Sequence, residues 1–438
     1  MRTLLVLFSL ILLSTLTVFA AANDLPSASR LSQLPPEAQS SLISALGTLT
    51  ASFGQSEDLL GWSVAIDGNT VVVGAMQQSF YGSLPGAVYV FVKPASGWAN
   101  LTQTATLTAS DQNTTGYGNG LGTSVAISGD TIIAGAPLGG TAAHAGAIYV
   151  YVRPANGWHD ATETAKLTAT DSNITADFAG AVAISSNTIV SSKIFADNHG
   201  AAYVYVKPAG GWTSSTQTAK LTASNSNARE LGTSVAIDGQ TIVVGCPLQF
   251  TGTAYVYVMP SSGWTDMTET AQLRASDETR GDEFSSTVAV KGNAILIGSP
   301  YAVVNGIQSG AAYVFAKPAS GWKTTNHFAA KLTPSDGASQ DGFGLALAFE
   351  RQTAVIGSPS HLFGQLPGPG AVYTFVRPAN GWTSMTQTDE LWFPGKSVYP
   401  FVAFGRSVAI SGTTIVSGAP FVQVGANTNQ GAAYVLGQ

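Results

Sequence analysis

An all-β fold is predicted: a seven-bladed β-propeller of four-stranded antiparallel blades. Three observations predict it. First, an apolar segment built around a tyrosine recurs at Tyr89, Tyr149, Tyr203, Tyr255, Tyr313, Tyr373 and Tyr434, each preceded by a glycine, at Gly86, Gly146, Gly200, Gly252, Gly310, Gly370 and Gly431. Second, another apolar segment precedes each of these, at residues 63–66, 124–127, 181–184, 234–237, 287–290, 346–349 and 407–410. Third, a Leu-Thr-Ala-Ser-like segment closes every unit but the last, and one extra copy stands ahead of the first, at Leu49-Thr50-Ala51-Ser52. The tyrosines lie 52–61 residues apart, a period that marks repeats burying their faces on one another.

In chain order, residues 1–22 read as a secretory signal peptide: Met1-Arg2-Thr3, an apolar run from Leu4 to Phe19, then Ala20-Ala21-Ala22. An uncleaved membrane anchor is the alternative, but Ser9, Ser14, Thr15 and Thr17 dilute a run that is short for a span. Cleavage would place the chain outside the cell or at its surface, with no transmembrane segment in the mature protein. Residues 23–46 are expected to form a leader with one short helix. Pro36 beside Glu37 suits a first turn, and Leu42, Ile43 and Leu46 share a helical face. The propeller takes residues 47–438.

Each unit reads as four strands, in the first at residues 63–66, 70–74, 87–92 and 105–110. Asp67-Gly68-Asn69 supplies a tight hairpin between the first two. Strand three is apolar on both faces, so its sheet must be covered on both sides. Strand four alternates Ala105, Leu107 and Ala109 with Thr106, Thr108 and Ser110, as a half-exposed outer strand does. A solenoid is the competing architecture, and the ends decide against it. The last unit lacks strand four, and the N-terminal segment 49–52 can supply it beside residues 432–436, closing a ring that has no open sheet edge. Gly74, Gly135, Gly245, Gly298, Gly357 and Gly418 end strand two, where a special backbone angle or a close approach between blades is expected. Unit three breaks that pattern with Ser191-Ser192-Lys193, which suggests an irregular blade edge.

Charged residues make up 10% of the chain and apolar ones 45%, as in a β-rich globular protein. The net charge of −6 carries no basic face, which argues against nucleic acid as partner. Cys246 is the single cysteine, so no internal disulfide forms, and its place in Gly245-Cys246-Pro247 suits a small buried residue. Asn100, Asn113 and Asn173 head glycosylation triplets that matter only in a eukaryotic host.

These elements resemble the FG-GAP repeat of integrin alpha chains and of secreted bacterial proteins. Phe343-Gly344 and Phe404-Gly405 carry the Phe-Gly element, softened at Leu60-Gly61, Leu121-Gly122 and Leu231-Gly232; Gly135-Ala136-Pro137 and Gly418-Ala419-Pro420 carry the Gly-Ala-Pro element. The resemblance covers residues 49–438 and itself implies seven blades; it looks like the stand-alone secreted bacterial type. Integrin-type blades hold calcium in Asp-rich loops between strands one and two. Here those turns are short and gather few carboxylates, whereas Ca²⁺ needs six to eight oxygens, so the family's calcium sites are not carried over.

No catalytic motif, metal-ligand spacing or cofactor motif is found, so no catalytic residue, metal or cofactor is expected. His144, His199 and His361 fall in loops between strands two and three, where they read as scattered exposed residues rather than a pore-facing cluster. Asp282 of Arg280-Gly281-Asp282 belongs to an acidic position of the repeat, with Asp177 and Asp341, which weakens a cell-adhesion reading. Six Gly-Trp pairs, at Trp98, Trp158, Trp212, Trp264, Trp322 and Trp382, suit a structural cover for the blade edge better than a row of sugar platforms; Trp62 and Trp392 read as core. Variation concentrates in the loops between strands two and three and in those leading to the next blade, which share one rim. Tyr81, Tyr117, Phe195, Tyr301, Phe363 and Tyr399 are the candidate ligand-binding residues there. The leading expectation is a secreted, monomeric, non-enzymatic module for binding or adhesion, recognising an extracellular protein or carbohydrate. The alternatives are an enzyme cleaving polysaccharide with rim carboxylates and a structural component of a cell envelope.

Overall fold

The computed structural model describes residues 45–437 apart from 77–84, 112–118, 140–144, 172–177, 195, 226–227, 249–250, 362–367 and 396–400. The expected signal peptide, and the expected leader as far as residue 44, lie outside the described residues. Ala45 and Leu46 already belong to a strand, so the expected helix does not reach Leu46.

Seven antiparallel sheets form a ring, the β-propeller that the repeats predict. Blade 1 consists of Leu60–Asp67, Thr70–Ala75, Ala87–Val92 and Ala105–Thr108. Blade 6 consists of Ala346–Glu350, Thr353–Ser358, Ala371–Val376 and Asp389–Trp392. Strands two and three are buried on both faces, so the core lies between neighbouring blades and not inside any one of them.

Blade 7 takes its outer strand from the other end of the chain. Ala45–Thr50 runs antiparallel to Ala432–Gly437, with Leu49 opposite Ala433 and Thr48 opposite Tyr434. The strand begins earlier than the expected 49–52, with a register shift between Ala45 and Gly47. The seam matches the other junctions. The Ser407 hydroxyl of blade 7 donates to the Gly61 carbonyl of blade 1 (2.9 Å), as Ser63 of blade 1 donates to the Gly122 carbonyl of blade 2 (2.8 Å).

A fifth strand, absent from the sequence expectation, covers the outer edge of five of the seven sheets among the described residues. Two residues in the connection between strands three and four pair in parallel with the outer strand of the preceding blade. Leu101 and Thr102 pair with Leu49 and Thr50; Ala161 and Thr162 pair with Leu107 and Thr108. Side chains flank each latch: Thr48 N–H donates to Asn100 (2.9 Å), and Ser110 N–H to Glu163 (2.8 Å). The Gly-Trp motifs lead into these latches. Trp98, Trp158, Trp212, Trp264 and Trp322 are buried and Trp382 is half-buried, as a structural role requires.

The strand-two glycines serve close approach: a Cβ on Gly74 would overlap the Gly122 carbonyl oxygen of the next blade. The hairpins between strands one and two spend their carboxylates on neighbours. Asp67 accepts from Gly129 N–H (2.6 Å), and Asp238 from Gly292 N–H (2.8 Å). The irregularity expected at Ser191-Ser192-Lys193 falls on one side only: Thr188–Lys193 pairs residue for residue with Ala201–Val206, while its pairing with Phe178–Ser185 shifts register between Phe178 and Val182, and the Lys193 ammonium is buried against Asp171.

Candidate functional site

The repeated tyrosine anchors a polar rivet between blades. Tyr149 donates its hydroxyl to Asp111 (2.6 Å), which follows strand four of the preceding blade. Lys166, opposite Tyr149 in the ladder, pairs with the same carboxylate. Blade 3 repeats this with Tyr203 and Lys220 on Asp171 (2.8 and 2.6 Å), and blade 5 places Lys331 on Asp277 (2.8 Å). Burial alone would raise the carboxyls of Asp111 and Asp171, but the lysine and tyrosine donors outweigh it and hold both below the usual aspartate value.

Blade 6 breaks the rivet at two positions together. Opposite Tyr373 stands Glu390, where blades 2, 3 and 5 have Lys166, Lys220 and Lys331. Four residues past the strand-two glycine stands His361, where blades 5 and 7 have Ala302 and Val422. The rivet's aspartate remains, as Asp336, whose Oδ1 accepts from Tyr373 (3.2 Å). His361 is 2% exposed. Its Nδ1–H donates to Asp341 (2.8 Å), a carboxylate that also accepts from Ala338 N–H (2.7 Å). Its Nε2 faces Asp336 Oδ2 at 3.4 Å and Glu390 Oε1 at 3.9 Å. Tyr373 and Trp392 wall the imidazole with ring centroids at 5.9 and 5.1 Å.

The electrostatics follow from crowding. Burial would push the His361 pKa down, but Asp336 and Asp341 overcome it and raise it to about 9. Burial, and then repulsion from Asp336, push the Glu390 carboxyl up. Asp336 is held down by His361 against its own burial. Glu390 Oε1 is buried without a hydrogen-bond partner, an expensive state for a carboxylate oxygen. Three carboxylates thus converge on one imidazole at the rim between blades 5 and 6.

Of the candidate ligand-binding residues, Tyr81, Tyr117, Phe195, Phe363 and Tyr399 lie outside the described residues, as does His144. Tyr301 is half-buried at the foot of an Asn305-Gly306 hairpin that joins Val303–Val304 to Ile307–Gln308 and exposes Val303 (49%) and Ile307 (43%). Phe401 and Phe421 stack at 5.5 Å on the same rim, where blade 6 passes to blade 7. Asp282 of the Arg-Gly-Asp triplet is buried and accepts from Thr279 N–H (2.7 Å), as Asp341 does from Ala338.

The sequence reading places His361 among exposed loop histidines and Trp392 in the core; the structure corrects both. His361 is the buried centre of the acid cluster, and half-buried Trp392 is one of its walls. The signal was present in the repeat register, in the exchange of lysine for Glu390 and the exchange of a small apolar residue for His361. It becomes legible only when blades are compared position by position.

The segments 44–91, 101–151, 161–205, 215–257, 267–315, 327–375 and 401–436 match the FG-GAP repeat. No curated protein matches the chain. Among the described residues, no helix is long and apolar enough to cross a membrane.

Proposed function

The chain belongs to the FG-GAP repeat family, and from that premise we propose that it is a secreted, non-enzymatic module for binding and adhesion. Its ligand is an extracellular protein or glycan, engaged by the rim that carries the loops between strands two and three. The observation behind this reading is where the repeat is broken. Elsewhere on the ring, polar side chains such as Ser63, Asp67, Lys166 and Glu163 are spent on bonds between blades. Across blades 5 to 7 the same rim carries the Val303 and Ile307 hairpin, half-buried Tyr301, the His361 cluster and the stacked Phe401 and Phe421. Exposed aliphatic and half-buried aromatic groups beside polar ones suit recognition of protein or sugar.

The test is a glycan array and a cell-binding assay with the wild-type chain and with a variant carrying Val303→Ser, Ile307→Ser and Phe421→Ser. Binding lost in the variant supports the reading, and equal binding by both proteins overturns it. A polysaccharide-degradation screen on the same samples separates it from the enzymatic alternative, which requires turnover.

A further inference from the structure

We propose that Asp336, His361 and Glu390 bind one divalent transition-metal ion of the zinc class, at the rim between blades 5 and 6. The proposal is independent of which ligand the rim recognises.

One ligand atom from each of the three residues lies within 4.8 Å of the other two. The donor orientation is prepared on two sides. Asp341 takes the Nδ1–H of His361 (2.8 Å), which leaves Nε2 facing Asp336 and Glu390 as the nitrogen a metal would take once its proton is displaced. A carboxylate behind the imidazole is how proteins commonly set a histidine for a metal. Tyr373 holds Asp336 Oδ1 (3.2 Å) and leaves Oδ2 toward the imidazole. Glu390 Oε1, buried and without a partner, is the third donor. A cation there would satisfy it.

The charge balance points the same way. In blades 2 and 3 every carboxylate of the rivet has an ammonium partner, Lys166 on Asp111, and Lys193 and Lys220 on Asp171. In blade 6 the lysine has become Glu390, and three carboxylates surround a single imidazole. With all three carboxyls ionised, a dication displacing the proton from Nε2 brings the group from −2 to −1, closer to the balance of the other blades.

Mixed nitrogen and oxygen donors, few in number, select zinc-like ions over calcium, which takes six to eight oxygens. The Asp336 side chain is 37% exposed, so an ion can reach the site from solvent. This site is distinct from the hairpins between strands one and two: it joins the end of one blade's outer strand to the strand-two loop and outer strand of the next.

The experiment uses the untagged full chain, stripped with EDTA and dialysed metal-free. It is titrated with ZnCl₂ by calorimetry and by competition with a chromophoric chelator, with CaCl₂ alongside. The expected result is one Zn²⁺ per chain with a Kd of about 1 µM or tighter, and no comparable Ca²⁺ uptake. His361→Gln and Glu390→Lys should each weaken binding by about a hundredfold. Glu390→Lys restores the residue that three other blades carry at this register, so its melting temperature should match the wild type and separate lost ligation from lost folding. Glu390→Gln, nearly isosteric, repeats the test without added charge. No stoichiometric Zn²⁺ uptake, uptake unchanged in these variants, or tighter binding of Ca²⁺ than of Zn²⁺ would overturn the proposal.

Discussion

Leu49→Ala tests whether the N-terminal strand is a full member of blade 7. Leu49 is fully buried, stands opposite Ala433, pairs in parallel with Leu101, and shares a cluster with Phe91, Trp98 and Val435. Truncating a rigidly held leucine costs the lost transfer energy plus a cavity term, about 3 kcal/mol in such a setting. Leu107 and Leu167 occupy the same register in blades 1 and 2 and are equally buried, so their alanine variants provide the scale. Reversible urea unfolding followed by tryptophan emission gives all three values, and Trp98 sits in the affected cluster. If the seam is closed as firmly as the other junctions, the three costs agree within about 1 kcal/mol. The reasoning fails if Leu49→Ala costs under about 1 kcal/mol while Leu107→Ala and Leu167→Ala cost the full amount, because the closing strand would then fray before the ring unfolds.

Gly418→Ala should destabilise by about 3 kcal/mol, since its Cβ would overlap the Gly61 carbonyl across the seam; Gly412→Ala, in open space at φ +61°, should cost only about 1 kcal/mol, and equal costs would contradict the close-approach account. Trp158→Phe should cost about 1–2 kcal/mol and Trp158→Ala about 3–5 kcal/mol, because the buried Nε1 has no partner to lose and the ring does the packing; similar losses from both would point to a hydrogen bond that the structure does not contain. Asp111 and Asp171 titrate below the ordinary aspartate value of 3.8, so the stability they contribute is complete above that pH and is lost as pH falls through their lower folded values. Urea midpoints measured from pH 6 to 2 should therefore drop more gently in Asp171→Asn than in the wild type, and parallel curves would refute the assignment.

Much of the frame was legible because it is periodic. Each Gly-Ala-x-Tyr segment meets the same environment in every blade, so seven copies identify a strand buried on both faces. The displaced Leu49 segment identified the closure, since the last unit has no outer strand of its own. The latch is not legible in the sequence, for a local reason. Leu101 and Thr102 are too few to show a strand period, and their partner belongs to a different unit. The irregularity expected at Ser191-Ser192-Lys193 is a register shift against Phe178–Ser185, and Lys193 is buried there because it finds Asp171 on the neighbouring blade, a compensation invisible within one repeat.

Composition, period and the order of the segments were sufficient for the number of blades, the strand sequence within each and the direction of ring closure. These depend on burial patterns that every unit repeats. The His361 cluster depends on something else. Asp336 ends one blade, while His361 and Glu390 lie in a loop and an outer strand of the next. Residues so separated in the chain meet only because blade stacking fixes Tyr373 between them, and a charge that looks solvated in the sequence is buried by the neighbouring blade.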